Sequence, residues 1–199
     1  MKLIVFGATG GTGLSIIDQA LAAGHEVTAF TRSPSESKAH VVQGNVLDPA
    51  QVADAIRGHD VVFSCLGTRP WRHTNICSEG AASIMAAMKT AGVRRFIAMS
   101  TQGIGDSKMA WWGTIGAAVF LRKAFADKDR MEKLIAATDL DWIIVRPGFM
   151  TSGKPRGKWR VADDGSIIGG MICRADVATF MLQQIESTEW LRRRPVVVW

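Results

Sequence analysis

Residues 3–17 read LIVFGATGGTGLSII, in which an apolar run is followed by a glycine-rich loop and then by a second apolar pattern. The run at residues 3–6 predicts a buried strand, and Leu14, Ile17 and Leu21 recur at helical spacing. Glycines permit a tight turn and let a ligand approach the backbone, and the first amides of a helix lack partners within it. The stretch therefore predicts a strand, a pyrophosphate-binding turn and a helix, with the turn made by Gly7, Thr9, Gly10, Gly11, Thr12 and Gly13.

The rest of the chain alternates in the same way between short apolar runs and amphipathic stretches. The predicted strands after the first are residues 26–31, 40–43, 60–64, 94–100, 141–146 and 196–198. The predicted helices after the first begin at Asp48 or cover residues 75–91, 122–137 and 174–186. This rhythm is typical of α/β proteins, so we expect a Rossmann-like, doubly wound parallel sheet in a single domain of residues 1–199. Because such sheets bind ligands at the carboxyl ends of their strands, the residues that follow each strand are candidates for a site.

Composition excludes several classes of protein. The 199 residues are 47% hydrophobic and 21% charged, which excludes disordered and fibrous chains. The three cysteines have no spacing typical of zinc ligands and are too few for a disulfide scaffold, so no metal site is predicted. The longest apolar stretch is far from the ~20 residues of a membrane helix, so we expect a cytoplasmic protein without a membrane partner. The net charge of +6 is not accompanied by a nucleic-acid-binding motif, so no nucleic-acid partner is expected.

The end of the second predicted strand distinguishes between the two nicotinamide dinucleotides. A protein that binds NAD usually has Asp or Glu there, about 20 residues after the glycine loop, to hold the ribose 2′-hydroxyl. This chain has Arg32 and Ser33 and no carboxylate. A guanidinium binds phosphate through a planar fork of donors, which suits the 2′-phosphate. We therefore predict NADP(H) as the cofactor.

Further motifs follow the later strands. They are GNVLD at residues 44–48, LGTR at 66–69, SEGA at 78–81 and DWIIVRPG at 141–148. Together with the glycine loop and Arg32, these motifs resemble the atypical short-chain dehydrogenase/reductases, an NAD(P)H-binding, NmrA-like family, and most of all its biliverdin and flavin reductases. The resemblance covers most of the chain, to about residue 185.

The resemblance implies roles for residues that spacing alone does not assign. It places the adenine against Asn45, Val46 and Leu47. It implies that the cofactor is lined by Leu66, Gly67, Thr68 and Arg69. It also implies that the reactive ring is enclosed by Pro147, Gly148, Phe149 and Met150. It also implies that Ser100 or Thr101 faces the nicotinamide and that Lys128 lies near the nicotinamide ribose.

The chain departs from the biliverdin and flavin reductases in three places. Phe149 stands where they carry a histidine after the sixth strand, and Thr101 stands for their serine near the nicotinamide. Residues 102–120 also differ, and this segment contains Trp111 and Trp112. The two tryptophans indicate a lid over a flat acceptor or, alternatively, packing or an interaction surface between molecules.

The chemistry is limited by one absence, because the chain contains no tyrosine. The Tyr-x-x-x-Lys proton donor of the superfamily is therefore excluded, and the predicted activity is hydride transfer from NADPH to a flat conjugated acceptor, such as a flavin, a quinone or a biliverdin-like compound. The catalytic candidates are Ser100, Thr101 and Lys128, although the hydroxyls could simply complete the end of a strand. Lys128 could also pair with Glu132 one turn later. The alternative function is an NADP(H)-binding redox sensor that acts on a protein partner without turnover.

Overall fold

The computed structural model describes residues 1–33, 37–67, 75–108 and 122–199. Two of the predicted cofactor residues, Thr68 and Arg69, lie outside these ranges. The same holds for residues 109–120 of the segment 102–120, including both of its tryptophans. In the described parts of the chain, no helix is both long enough and apolar enough to cross a bilayer.

In the described residues, the five helices and seven of the ten strands follow one another as the sequence predicts. The strands are β1 (Lys2–Phe6), β2 (Glu26–Thr31), β3 (His40–Gln43), β4 (Val61–Ser64), β5 (Arg95–Met99), β6 (Asp141–Pro147), β7 (Phe149–Thr151), β8 (Arg160–Ala162), β9 (Met171–Cys173) and β10 (Val196–Val198). The helices are α1 (Gly11–Ala22), α2 (Pro49–Ile56), α3 (Ile76–Ala91), α4 (Arg122–Ala136) and α5 (Arg174–Gln183). Local signals account for several ends, since Asp48 caps α2 through its side chain and Gly92 ends α3 in the left-handed conformation.

The described strands form a main sheet in the order β3-β2-β1-β4-β5-β6-β10-β8 and a small parallel sheet of β7 and β9. The main sheet is parallel from β3 to β10, and β8 is antiparallel to β10. From β1 the chain moves outward to β2 and β3 and then returns to β4 on the other side of β1. This reversal confirms the doubly wound, Rossmann-like prediction and creates a crevice beyond the carboxyl ends of β1 and β4.

Alternating side chains of the strands fill two cores, one on each face of the sheet. In β1, Leu3 and Val5 point toward α1 and α5, whereas Ile4 and Phe6 point toward α2, α3 and α4. All four side chains are inaccessible to solvent. Because both faces are covered there, central strands such as β1 and β4 are apolar on both sides, which explains their continuous apolar runs in the sequence.

The structure differs from the prediction in three respects. Strands β7, β8 and β9 were not predicted, because each has only three residues and none is a run of β-branched residues like the three valines of β10. Pro147 was expected to end the sixth strand but is its last residue, paired with Val197 of β10. Leu14 was expected on the buried face of α1 but is exposed, because the buried face runs through Ile16, Ile17 and Ala20.

Candidate functional site

The glycine loop lies between β1 and α1, at the point where the order of the strands reverses. Gly7 has φ +78°, and a Cβ there would lie 2.5 Å from the carbonyl oxygen of Cys65, just after β4. Only glycine fits this position, because the two strand ends approach so closely. The turn is closed by the Gly10 amide, which donates to the Gly7 carbonyl at 3.0 Å.

The first turn of α1 presents unpaired amides. The first hydrogen bond of the helix runs from the Leu14 amide to the Gly10 carbonyl at 2.9 Å, so the amides of residues 11–13 have no partner within the helix. Gly10 supplies no side-chain cap, and the first turn contains no acidic residue. These donors and the positive end of the helix dipole are therefore free to hold an anion such as a pyrophosphate. Thr9, Gly10 and Gly11 are exposed to solvent, whereas Thr12 and Gly13 are buried.

The end of β2 positions the backbone of Arg32. The Thr31 hydroxyl donates to the Ser33 carbonyl at 2.9 Å, and the Gln43 side-chain amide donates to the Arg32 carbonyl at 3.3 Å. The side chains of Arg32 and Ser33 are exposed. Arg32 takes part in no ion pair among the described residues, so its guanidinium has no competing carboxylate there.

The residues predicted to flank the adenine fall into two environments. The Asn45 side chain accepts a hydrogen bond from the Leu47 amide at 3.1 Å, and the Asn45 amide donates to the Gln51 side chain at 2.8 Å. Leu47 is exposed beside this turn, whereas Val46 is buried in the core between the sheet and α3. Leu66 joins the same core, and Gly67 after it is exposed. Asn45, Leu47 and Gly67 are thus the members of this group that a ligand can reach.

Ser100 and Lys128 meet at the end of β5. The Lys128 ammonium donates to the carbonyls of Met99 at 3.0 Å and Ser100 at 3.4 Å. Ser100 is only 1% exposed, and its hydroxyl has no hydrogen-bond partner within the described residues. Thr101, the next residue, is half-buried. The structure thus brings together the three residues that the sequence nominated as catalytic.

The pairing of Lys128 with Glu132 that the sequence allowed does not form. Arg146 of β6 instead donates to both carboxylate oxygens of Glu132, at 3.1 and 2.6 Å, and both side chains are 3% exposed. Burial alone would lower the pKa of Arg146, but hydrogen bonds to Glu132 and Asp106 raise it above its usual value. Because Glu132 is engaged from the sheet, Lys128 remains directed at the strand end.

A buried carboxylate on α4 docks this helix against α3. The Asp127 carboxylate accepts from the amides of Cys77 and Ser78 at 2.9 and 3.1 Å and from the Ser78 hydroxyl at 2.5 Å. It therefore caps the first turn of α3 from a different helix, a role that no local sequence signal could reveal. Asp127 precedes Lys128 in the chain, so this cap also sets the position of the ammonium.

The cysteines near Lys128 are not nucleophiles. Burial raises the pKa of the Cys65 thiol to about 12 and that of the Cys77 thiol to about 11. Both thiols are therefore protonated at neutral pH, and a thiolate is needed for nucleophilic attack. Cys65 is part of the buried core beside the glycine loop.

An exposed apolar surface lies beyond the end of β6, on the small sheet of β7 and β9. Phe149 is 73% exposed and pairs in register with Met171, which is 48% exposed. Ile168, three residues before Met171 in the chain, is also exposed. Contact between the Thr12 hydroxyl and the Met150 sulfur, at 3.8 Å, connects β7 to the glycine loop. No sequence pattern pointed to Met171, because only the pairing of two very short strands brings it next to Phe149.

Comparisons with known proteins agree with this geometry. A family model described as NAD(P)H-binding matches residues 7–188. An uncharacterized chloroplastic protein from Arabidopsis thaliana is 29% identical over an alignment of 213 positions, gaps included. The alignment covers 94% of this chain and 74% of that protein. The solved structure of ChuY, an anaerobilin reductase from Escherichia coli O157:H7, matches with a TM-score of 0.85 and 24% identity, over 100% of this chain and 97% of ChuY.

A second solved structure contains a bound dinucleotide. It is a short-chain dehydrogenase/reductase of the wide type from Veillonella parvula in complex with NADP, and it matches with a TM-score of 0.83 and 16% identity. The match covers 100% of this chain and 94% of that one. At these identities, the two solved structures show that the fold is shared.

Proposed function

This chain belongs to the NAD(P)H-binding family, and from that membership we propose that it is an NADPH-dependent reductase of a flat, conjugated acceptor such as a flavin, a quinone or a biliverdin-like compound. The observation that carries the proposal is the absence of tyrosine from a chain that retains the dinucleotide-binding loop. A reductase of this kind needs an acceptor whose conjugated system spreads the incoming charge, so that water can supply the proton.

The residues that we propose to bind the coenzyme suit a dinucleotide with a 2′-phosphate. The amides of residues 11–13 are free to bind the pyrophosphate, and the first turn of α1 has no carboxylate to repel it. Arg32 and Ser33, exposed at the end of β2, would bind the 2′-phosphate and give NADPH its preference over NADH. Asn45, Leu47 and Gly67 would contact the adenosine half. Bound reduced nicotinamide would supply the hydride.

The residues at the end of β5 and around Phe149 would position the nicotinamide ring and the acceptor ring and exclude water from them. Lys128 holds the carbonyls at the end of β5, where it would also reach the nicotinamide ribose. The Ser100 hydroxyl, which has no partner among the described residues, and the Thr101 hydroxyl would orient the carboxamide or the acceptor. Phe149, with Pro147, Gly148 and Met150 around it, would form the apolar wall on which a planar acceptor stacks. The fold is shared with ChuY, an anaerobilin reductase, which is in line with a reductase.

The experiment that tests the proposal is an NADPH oxidation assay with a panel of acceptors. The purified protein is mixed with NADPH or NADH and with flavins, quinones or biliverdin, and the nicotinamide absorbance is followed. Turnover with at least one acceptor, faster with NADPH, is the expected result. Tight NADPH binding without oxidation across the panel would instead favour the redox sensor that acts on a protein partner.

The three cysteines are buried and unpaired, which supports a reducing, cytoplasmic setting.

The glycine loop supplies a matched pair of variants for this assay. Gly10 is the N-cap of α1 and has an extended backbone, so Gly10→Asp places a carboxylate where it caps the free amides. We expect Gly10→Asp to weaken NADPH binding by about a hundredfold and to leave the chain folded. The carboxylate repels phosphate, and the cap offsets the close approach of the new Cβ to the Gly7 carbonyl oxygen, 3.3 Å away. Gly10→Ala adds no charge and should retain measurable binding. Equal NADPH affinity in the wild type and in Gly10→Asp would refute the loop as the phosphate site.

A further inference from the structure

The side chain of Arg174, which no motif singled out, lies across the first turn of α1. A Cβ added to Gly11 would lie 2.7 Å from the Arg174 Cδ and 3.3 Å from its Nε. The absence of a side chain at Gly11 is therefore what makes room for the arginine. The same residue, Gly11, contributes one of the free amides at which the phosphate site is proposed.

Contacts from two directions hold Arg174 in this place. Its Nη1 donates to the Ser152 hydroxyl, just after β7, at 3.0 Å. The Gln19 side chain joins α1 to α5, since its amide donates to the Ala175 carbonyl at 3.0 Å and its oxygen accepts from the Thr179 hydroxyl at 2.8 Å. The two helices are thus locked in register, and Arg174 is the first residue of α5. Its position over Gly11 follows from this packing.

The electrostatics of this position are unfavourable without an anion. A cation is disfavoured at the N-terminus of a helix, and Arg174 lies at the start of α5 and against the start of α1. Among the described residues it takes part in no ion pair. The acidic residue of the first turn of α5, Asp176, accepts instead from the Trp199 indole at 2.7 Å and from the amides of Arg156 and Gly157.

We propose that Arg174 is a further coenzyme-binding residue, whose guanidinium donates to the pyrophosphate held at the first turn of α1. The inference rests on the proposed function, since it assigns a second positive group to the same phosphate site. An anion between the first turn of α1 and the Arg174 guanidinium would remove the electrostatic conflict described above. Arg174 thus contributes affinity shared by NADPH and NADH, whereas Arg32 contributes affinity for the 2′-phosphate alone.

The test compares the affinities of three ligands for two arginine variants by calorimetry. NADPH carries both the pyrophosphate and the 2′-phosphate, NADH carries only the pyrophosphate, and adenosine 2′-monophosphate carries only the 2′-phosphate. We expect Arg174→Gln to weaken NADPH and NADH by a similar factor, about tenfold to a hundredfold, and to leave adenosine 2′-monophosphate unchanged. Arg32→Gln should show the opposite pattern, with losses for NADPH and adenosine 2′-monophosphate only. Lys158→Gln, which removes an exposed positive charge, is the control for net charge.

A second comparison uses the close approach at Gly11. Gly11→Ala forces the Arg174 side chain away, so it should weaken NADPH binding in the wild type and add little in the Arg174→Gln background. Additive losses in this double-mutant cycle would contradict the proposal.

The outcomes separate this inference from the proposed function. If the wild type binds neither dinucleotide, both are overturned. If it binds NADPH and Arg174→Gln binds it equally well, Arg174 is not a coenzyme residue and the proposed function stands. An equal loss for adenosine 2′-monophosphate would show that the variant acts through the fold. A change confined to the KM of the acceptor would assign Arg174 to the acceptor instead, and either result overturns the inference.

Discussion

At the scale of single residues, the contacts of the Lys128 ammonium depend on which basic residue pairs with Glu132. Arg146 engages the Glu132 carboxylate, and the Lys128 ammonium is left to the carbonyls at the end of β5. We predict that Lys128→Met raises the KM for NADPH by about tenfold, because the charge-assisted contact that we propose between its ammonium and the coenzyme would be lost. Steady-state kinetics with varied NADPH measure this change.

Lys133 of the same helix provides the matched control for this prediction. It forms an exposed pair with Asp129 at 2.7 Å and lies away from the strand ends. Lys133→Met should leave the KM unchanged. If the two variants have the same kinetics, Lys128 has no role beyond that of a surface lysine.

At the scale of elements, a buried carboxylate of α4 adds polar contacts to its apolar packing against α3. Asp127→Ala leaves the amides of Cys77 and Ser78 and the Ser78 hydroxyl without their acceptor. We expect the free energy of unfolding to fall by about 3 kcal/mol, because buried donors lose a charged partner. Asp127→Asn retains part of the acceptor and should lose less. Urea denaturation monitored by circular dichroism measures the difference.

The neighbouring residue Asp129 separates this effect from a general loss of charge on α4. Its exposed pair with Lys133 is of the kind that contributes little, so Asp129→Ala should change the free energy of unfolding by no more than about 0.5 kcal/mol. A loss in Asp129→Ala as large as that in Asp127→Ala would show that the cap on α3 is unimportant.

At the scale of the whole molecule, the two ends of the sheet have separate roles. The carboxyl ends carry the candidate site, whereas His59 lies near the amino ends, where its Nε2 is 2.9 Å from the Thr28 hydroxyl and its Nδ1 is 3.3 Å from the Ile56 carbonyl. Burial lowers the pKa of His59 below its ordinary value of 6.5. His59 therefore binds a proton more weakly in the folded chain than in the unfolded chain. As a result, the free energy of unfolding should decrease as the pH falls below 6.5.

Urea denaturation at about pH 8 and about pH 5.5 checks this sign, since the two values lie on either side of the ordinary histidine pKa. His59→Gln retains a polar side chain without a titrating group and should lose part of the difference between the two pH values. An unchanged difference in the variant would exclude His59 as its source. NADPH binding at about pH 8 should be the same in both proteins, because His59 is remote from the carboxyl ends.

Contiguous residues were sufficient to predict the five helices, the strands β1 to β6 and β10, the glycine loop and the arginine after β2. Each depends on neighbours in the chain, because a buried strand, a tight turn and a helix start leave their marks within a few residues of one another. The resemblance singled out Lys128 as a residue near the nicotinamide ribose, which stays a prediction. The contact of its ammonium with the Met99 carbonyl joins residues far apart in sequence and is known only from the structure.

Only the tertiary structure decided which side chains distant in sequence meet in the fold. Arg146 bonds Glu132, Asp127 caps α3, Arg174 crosses Gly11, and Met171 lies beside Phe149. None of these pairs follows from local spacing, and the helical spacing of Lys128 and Glu132 pointed to a pair that does not form. The physical reason is that a buried charge takes whichever opposite group the packing of helices on the sheet brings within hydrogen-bonding distance, because leaving it unpaired costs more than losing a surface pair.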